Sequence, residues 1–158
     1  MRRWPVPVLA LALVACAKQP APRDAYEGAP QRAAIVAECG PKLVDDEGRA
    51  CVQIDVFAEG EGPPAAPGEW LWIHYIVTLP NGAQIDSSHE RKPLSLRLGH
   101  SGEVIEGMHL GLAGIRVGER RRFVVPPKLG YRGAKMAGVP PDANLTFLVE
   151  LMERRESL

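Results

Sequence analysis

The sequence predicts an α+β fold in which a twisted antiparallel sheet buries one short helix. Three observations support this prediction. Gly and Pro, 16 and 15 of 158 residues, make up nearly a fifth of the chain and favour turns over long helices. Several short segments alternate polar and apolar residues with the period of two that is typical of half-buried strands. One segment carries the three- and four-residue spacing of an amphipathic helix.

The first 15 residues are typical of an export signal. Arg2 and Arg3 provide the positive start, and residues 8–17 form an apolar run of ten that is too short to span a bilayer. The Leu-Val-Ala-Cys sequence that ends at Cys16 resembles the lipobox of bacterial lipoproteins, in which the cysteine is acylated. We therefore expect a lipoprotein signal over 1–15 and lipidation at Cys16; an ordinary cleaved signal is the alternative.

The chain that follows is divided into three parts. Residues 16–35, rich in Ala and Pro, are predicted to form the acylated cysteine and a tether, residues 36–50 an N-terminal extension, and residues 51–154 the folded domain. Ala17 stands where an Asp would favour the inner membrane, so we expect a lipid-anchored protein of the bacterial cell envelope, at the outer membrane and facing the periplasm.

Two cysteines remain after Cys16, and they form a candidate disulfide. Cys39 and Cys51 are twelve residues apart, and the expected compartment is oxidising. A bridge over this spacing would stabilise the fold by about 3 kcal/mol in the chain-entropy model. Two buried thiols are the alternative, because the spacing alone says nothing about how closely the side chains approach.

Strands are predicted where alternation or β-branched and aromatic residues dominate: residues 51–57, 70–79, 83–85, 94–98, 120–125 and 145–152. The Asn81-Gly82 pair suits a tight hairpin turn between the second and third segments. The helix is predicted over 103–112. Its apolar stripe consists of Val104, Ile105, Met108 and Leu112.

Charge and spacing argue against several function classes. Nineteen Lys and Arg balance nineteen Asp and Glu, so no positive field attracts nucleic acid. His and Cys show no paired metal-ligand spacing, and no dinucleotide fingerprint is complete, so neither a metal nor a cofactor is expected. Asp86, Ser87 and His89 lie too close in sequence for a hydrolytic triad. The run Arg120 to Arg122 is interpreted as solvated charge at a strand edge.

Residues 74–88 read HYIVTLPNGAQIDSS, a His-Tyr followed by a Gly-containing hairpin and an Ile-Asp-Ser-Ser. This stretch resembles FKBP-type peptidyl-prolyl isomerases, which carry a His-Tyr, a Gly-containing hairpin and a Phe-Asp-Ser-Ser. Further similar motifs follow in family order at residues 93–99, 104–108, 118–120, 124–127, 131–133, 139–141, 145–147 and 150–151. The resemblance covers roughly residues 50–154. It implies a five-stranded antiparallel sheet wrapped around one short helix.

The resemblance also implies a proline-binding pocket and prolyl isomerisation that assists the folding of exported proteins. The residues that it implies as catalytic are Tyr75, Asp86, Ile105, Tyr131 and Phe147. Those that it implies as substrate-binding are Ile85, Arg91, Leu94, Val104, Met108 and Val139. In this interpretation the Ile105 amide and the Tyr131 hydroxyl bind substrate carbonyls, while Asp86 lies at the edge of the pocket.

Three positions depart from the family pattern. Met108 stands where the family's pocket floor is usually Trp, and Ile85 and Leu94 stand where Phe is usual. Because fewer aromatic faces reduce contact with a proline ring, a catalytically weak binding module is the alternative to an active isomerase. The expected partners are proline-containing polypeptide segments and, through the lipid, a membrane. A monomer is expected.

Overall fold

The computed structural model describes residues 23–28, 30, 32–33, 39, 43–45, 48–132, 134 and 137–156. The predicted signal over 1–15 and the lipidation site Cys16 lie outside these residues. The described chain forms seven strands and one α-helix. In chain order they are β1 Arg32–Ala33, β2 Gln53–Ala58, β3 Trp70–Thr78, β4 Gln84–Ser87, β5 Leu94–Arg97, α1 Glu106–Leu112, β6 Arg120–Val125 and β7 Leu145–Arg155.

The strands form one antiparallel sheet in the order β1-β2-β6-β7-β3-β4. β5 pairs with the first half of β3 and β4 with its second half, so these two short strands share one edge of the sheet. From β2 to this shared edge the sheet is five strands wide, and β1 adds a two-residue sixth strand beside β2. The predicted fold class is therefore confirmed.

The predicted elements are all present, and the largest differences in bounds, of three residues, are at the end of β7 and at the start of the helix. The helix begins at Glu106 rather than at residue 103, because Ile105 is extended (φ −63°, ψ 150°). The Glu103 carboxylate accepts a hydrogen bond from the Arg97 amide at 2.9 Å, which binds the preceding loop to β5. Residues 103–105 therefore belong to the loop that precedes the helix.

The helix packs directly on the inner face of the sheet. Gly107 and Gly111 face β6, and a Cβ atom at either position would overlap Val125 or Phe123. This close approach buries two of the four residues of the predicted apolar stripe, Met108 at 5% exposed and Leu112 fully; Val104 and Ile105 lie half-buried in the preceding loop. Because Gly107 and Gly111 have no side chains, this helix of only two turns packs closely against β6.

The expectation that Arg120 to Arg122 are solvated edge charges is wrong for Arg121. β6 lies between β2 and β7, and side chains alternate along it, so Arg121 faces inward and is 3% exposed. Its Nε lies 2.5 Å from the carboxylate of Glu119, which is fully buried. Arg122 faces the opposite side, where it pairs with Asp55 at 2.8 Å.

The described part of the predicted 16–35 tether does not extend away from the domain. Residues Arg23–Tyr26 form a 3-10 turn, and Tyr26 packs against Phe57, Ile76 and Leu148 on the outer face of the sheet. Tyr26 is 4% exposed. Its packing covers an apolar patch that would otherwise face solvent, which favours this position. The tether prediction is therefore wrong for residues 23–26 and for β1, which pairs with β2.

The candidate disulfide is present in the structure. Cys39 and Cys51 are joined with Sγ atoms 2.09 Å apart and Cα atoms 5.8 Å apart. The bridge connects the extension to the residues that lead into β2.

No helix among the described residues is long and apolar enough to cross a bilayer.

Candidate active site

A cavity of about 410 Å³ opens between the inner face of the sheet, the N-terminal end of α1 and the loop before that helix. Eight of the eleven predicted pocket residues line it together. They are Tyr75, Asp86, Leu94, Val104, Ile105, Met108, Tyr131 and Phe147. The fold therefore brings predicted residues from six separate segments of the chain together in one cavity.

Strand alternation explains how the sheet contributes to this cavity. Tyr75 and Val77 lie two residues apart on β3, so both face inward. In the register of the sheet Val77 lies between Asp86 of β4 and Phe147 of β7, which places all three on one surface. Phe147 is itself supported by Phe123, with ring centroids 5.3 Å apart.

The helix and the loop before it complete the floor and one wall. Met108 of α1 is nearly buried at the floor, and Val104 and Ile105 form the wall immediately before the helix. Leu94, the first residue of β5, lies opposite on the sheet. These side chains carry no hydrogen-bonding groups, so a ligand that binds among them is removed from water.

One edge of the cavity is polar and is organised around Asp86. The Tyr75 hydroxyl donates to Asp86 Oδ2 at 2.5 Å, and the Ser87 amide donates to Asp86 Oδ1 at 2.8 Å. Arg91 forms an ion pair with Oδ1 and also donates from Nε to the Ser87 carbonyl at 3.0 Å. Both carboxylate oxygens are therefore occupied by protein donors.

These contacts set the protonation states of the edge. Partial burial opposes ionisation of Asp86, but the bonds from Tyr75 and Ser87 and the charge of Arg91 hold its pKa below the ordinary value of 3.8. Burial, followed by the bond to Asp86, raises the pKa of Tyr75 to about 12. Asp86 is thus a carboxylate and Tyr75 a phenol at neutral pH.

Two donors at the cavity have no acceptor among the described residues. They are the backbone amide of Ile105 and the hydroxyl of Tyr131. Burial, and then the charge of Asp86, raise the pKa of Tyr131, so its hydroxyl keeps its proton at neutral pH. An apolar ligand with carbonyl groups on either side of it would be bound by such an arrangement.

Three predicted residues do not line the cavity. Ile85 and Arg91 line a neighbouring cavity that shares only Asp86 with the first. The register shift between β3 and β4 leaves Ile85 without a partner on β3, and Arg91 lies beyond the end of β4. Val139 packs at the margin of the core without reaching the cavity lining. Arg91 acts on the site through its ion pair with Asp86, so its placement as a direct substrate contact is corrected to a supporting one.

Three lining residues were not predicted: Val77, Gly102 and Glu103. Val77 could have been found from strand periodicity alone, since it follows Tyr75 by two positions on β3. Glu103 falls inside the predicted helix and Gly102 just before it; the Ser101-Gly102 pair, a dipeptide typical of turns, is the sequence signal for the bend at this point. The described residues contain no group of three His, Cys, Asp or Glu that could hold a metal ion.

Comparison with known proteins gives consistent matches. A model of the family described as FKBP-type peptidyl-prolyl cis-trans isomerase matches residues 62–152, more than half of the chain. The chain is similar to FK506-binding protein 3 of Yarrowia lipolytica, with 37% identity over 116 residues that cover 73% of this chain and 28% of that protein. FK506-binding protein 4 of Mycosarcoma maydis is 40% identical over 100 residues, which cover 63% and 26%.

A solved structure gives the same result for the fold. The crystal structure of FkpA from Escherichia coli is similar with a TM-score of 0.61 and 33% identity, over 71% of this chain and 50% of that chain. The chain thus spans between about a quarter and a half of the length of these relatives.

Proposed function

The chain belongs to the FKBP-type peptidyl-prolyl cis-trans isomerase family, and on that premise we propose that it interconverts the cis and trans forms of X-Pro bonds in polypeptides. One observation carries the proposal. The apolar cavity formed by Tyr75, Met108 and Phe147 is bordered by two donors, the Ile105 amide and the Tyr131 hydroxyl, that no described residue occupies.

The physical basis lies in the electronic change during rotation. The planar amide is separated from its isomer by a barrier of about 18–20 kcal/mol, because rotation breaks the resonance between nitrogen and carbonyl. In the twisted state the carbonyl is less polar and loses less on leaving water. A dry apolar cavity therefore favours the twisted state over the planar one, and lowering the barrier by about 5.5 kcal/mol would accelerate rotation about 10⁴-fold.

In this proposal the donors orient the substrate and take no proton. The Ile105 amide and the Tyr131 hydroxyl bind carbonyls on either side of the proline, which fixes the chain while the amide between them turns. Asp86 does not act as a base, since both oxygens already accept protein hydrogen bonds. It holds Tyr75 in place and contributes a fixed negative charge at the cavity edge.

A prolyl-isomerisation assay on the purified protein tests the proposal. The substrate is a peptide with a hydrophobic residue before proline, and Tyr131→Phe and Asp86→Ala are compared with the wild type. We expect acceleration well above the spontaneous rate, reduced in both variants. No acceleration by protein whose circular dichroism shows a folded domain would contradict it and leave the binding module.

That second candidate rests on Met108, Ile85 and Leu94. Met108 offers a flexible thioether where an aromatic floor would offer a flat face, and Ile85 does not reach the cavity lining. A protein of this kind would bind proline-containing segments and release them without accelerating cis-trans interconversion above the spontaneous rate. Peptide binding measured by calorimetry, without acceleration in the isomerisation assay, would identify it.

We further propose that the chain is a bacterial lipoprotein, acylated at Cys16 and facing the periplasm from the outer membrane, where it assists the folding of exported proteins as a monomer. The Leu-Val-Ala-Cys sequence and the disulfide Cys39–Cys51, which needs an oxidising compartment, support this location. Cys16→Ser should move the protein out of the membrane fraction or leave it unprocessed. An unchanged membrane fraction would contradict the anchor, and a two-fold larger mass in light scattering would contradict the monomer.

A further inference from the structure

The loop between β5 and α1, residues 98–105, separates the site from a second cavity. Gly102, Val104 and Ile105 line both cavities, so this loop is the wall between them. The second cavity has a volume of about 440 Å³ and also contacts His109, one turn along the helix from Ile105. The position of the loop therefore decides where the Ile105 amide points.

The middle of this loop is held by few contacts. Its backbone hydrogen bonds lie toward the two ends, where Leu98 pairs with Glu69 and the Ile105 carbonyl accepts from Met108. Gly99 and Gly102 have φ of 78° and 99°, values that glycine adopts with least strain. The Glu103 side chain reaches the Arg97 amide, and His109 reaches Gly99.

The hydrogen bond from Gly99 fixes the tautomer of the His109 imidazole. The Gly99 amide donates to His109 Nδ1 at 3.1 Å, so Nδ1 carries no proton and the proton of the neutral ring is on Nε2. Nε2 is shielded from solvent and has no hydrogen-bond partner among the described residues. Shielding an unpaired donor is unfavourable, and an apolar side chain of similar size would avoid it. The contact with Gly99 is therefore the interaction for which an imidazole is needed here.

We infer that His109 is a positioning residue that holds the loop, through Gly99, in the conformation that directs the Ile105 amide at the substrate. The inference rests on the proposed isomerase function. His109 adjoins Met108, so one short helix sets the cavity floor directly and the cavity wall through a single hydrogen bond. His109 acts on the site only through this contact, since its own side chain does not line the proposed proline cavity.

Two matched substitutions separate the hydrogen bond from packing. In His109→Asn the Oδ1 atom takes nearly the place of Nδ1 and accepts from Gly99; in His109→Leu the volume is kept and the acceptor is lost. We expect His109→Leu to lower kcat about fivefold, the effect of one lost hydrogen bond, with less change in KM. We expect His109→Asn to stay within about twofold of the wild type.

Hydrogen exchange of the Gly99 amide gives a readout independent of turnover. Exchange at Gly99 should be faster in His109→Leu than in the wild type, and near the wild-type rate in His109→Asn. If His109→Leu does not fold, His109→Met supplies the same comparison.

A folded His109→Leu or His109→Met variant with the wild-type kcat would overturn the inference. Equal losses of kcat in the Asn and Leu variants would also overturn it. If the wild type shows no isomerisation, the proposed activity fails separately. The inference is then decided by proline-peptide affinity, which should fall in His109→Leu and be retained in His109→Asn; equal affinities would overturn it.

Discussion

Arg121 and Glu119 are paired inside the protein, with Nε and Oε1 2.5 Å apart and both side chains almost completely buried. Nη1 of Arg121 donates to the carbonyls of Gly111 and Ala113 at 3.0 and 2.8 Å. These carbonyls lie at the C-terminal end of α1, where helix carbonyls lack partners within the helix. A buried ion pair thus fixes the helix that carries the floor of the site.

Replacing Arg121 should destabilise the whole domain. Arg121→Ala leaves Glu119 buried without its counter-charge and the helix carbonyls without donors, so we expect a loss of about 3–5 kcal/mol in the free energy of unfolding. Urea denaturation measures it. Arg122→Ala is the control, because its pair with Asp55 is partly exposed and should contribute about 0–1 kcal/mol. Equal effects of the two substitutions would contradict the burial of Arg121.

A larger, aromatic side chain at the cavity floor should raise kcat/KM. Met108→Trp adds an aromatic face under the proline ring, so we expect a gain of about two- to tenfold in kcat/KM, which corresponds to about 0.5–1.5 kcal/mol. Met108→Leu keeps the volume and serves as the control. Unchanged kcat/KM in a folded Trp variant would count against Met108 as the floor of the substrate site.

Removing the Tyr75 hydroxyl should change both activity and acid titration. Tyr75→Phe keeps the ring but takes away a hydrogen bond that lowers the pKa of Asp86, so that pKa should rise toward 3.8. We expect kcat/KM to fall about fivefold, the effect of one lost hydrogen bond. Nuclear magnetic resonance titration of the Asp86 carboxyl measures the first effect. A pKa that does not rise would show that the hydroxyl does not bind the carboxylate.

The buried His74 should make stability depend on pH. Burial is the main cause that lowers its pKa below 6.5, so the folded protein binds this proton less well than the unfolded chain. The contribution is complete above 6.5 and declines as the pH falls from there to the folded-state pKa. Unfolding free energies should therefore decrease over that window, and His74→Asn should flatten the curve. The same slope in the variant would assign it to another group.

Reducing the disulfide should loosen the extension. Joining Cys39 to Cys51, twelve residues apart, restricts the unfolded chain, and its loss should cost about 3 kcal/mol. A Cys39→Ser, Cys51→Ser double variant compared with the wild type in denaturant measures this. Adding a reductant should lower the stability of the wild type and leave the variant unchanged. A reductant effect on the double variant would rule out the bridge as the cause.

Periodicity predicted the elements because it reports local burial. β6 has the predicted bounds, and β3 ends one residue before its predicted end. Arg121 was misplaced because its burial depends on Glu119 and on carbonyls of α1, which form a polar setting that sequence periodicity does not describe. The start of α1 was missed for a related reason, since the Glu103 carboxylate binds Arg97 across the loop.

The candidate site was predicted where family motifs and strand alternation agree. Tyr75 and Asp86 meet because the hairpin turn at Gly82 brings β4 back along β3. Motif order alone predicted Ile85 and Arg91 at the site. The register shift beside Thr78 leaves Ile85 unpaired on β4, and Arg91 lies beyond the end of that strand. Tyr26 could not be placed from sequence, because its contacts lie more than thirty residues away along the chain.

The packed position of Tyr26 limits how far an anchored domain could travel. The guanidinium of Arg23, three residues earlier, lies 3.5 Å from the carbonyl of Gly82 in the β3–β4 turn. If Cys16 carries lipid as proposed, at most about 25 Å of extended chain joins it to Arg23, against about 70 Å for a tether that ended at residue 35. Such a domain would sample a thin layer beside the bilayer, and the polypeptides within its reach would be those passing through that layer.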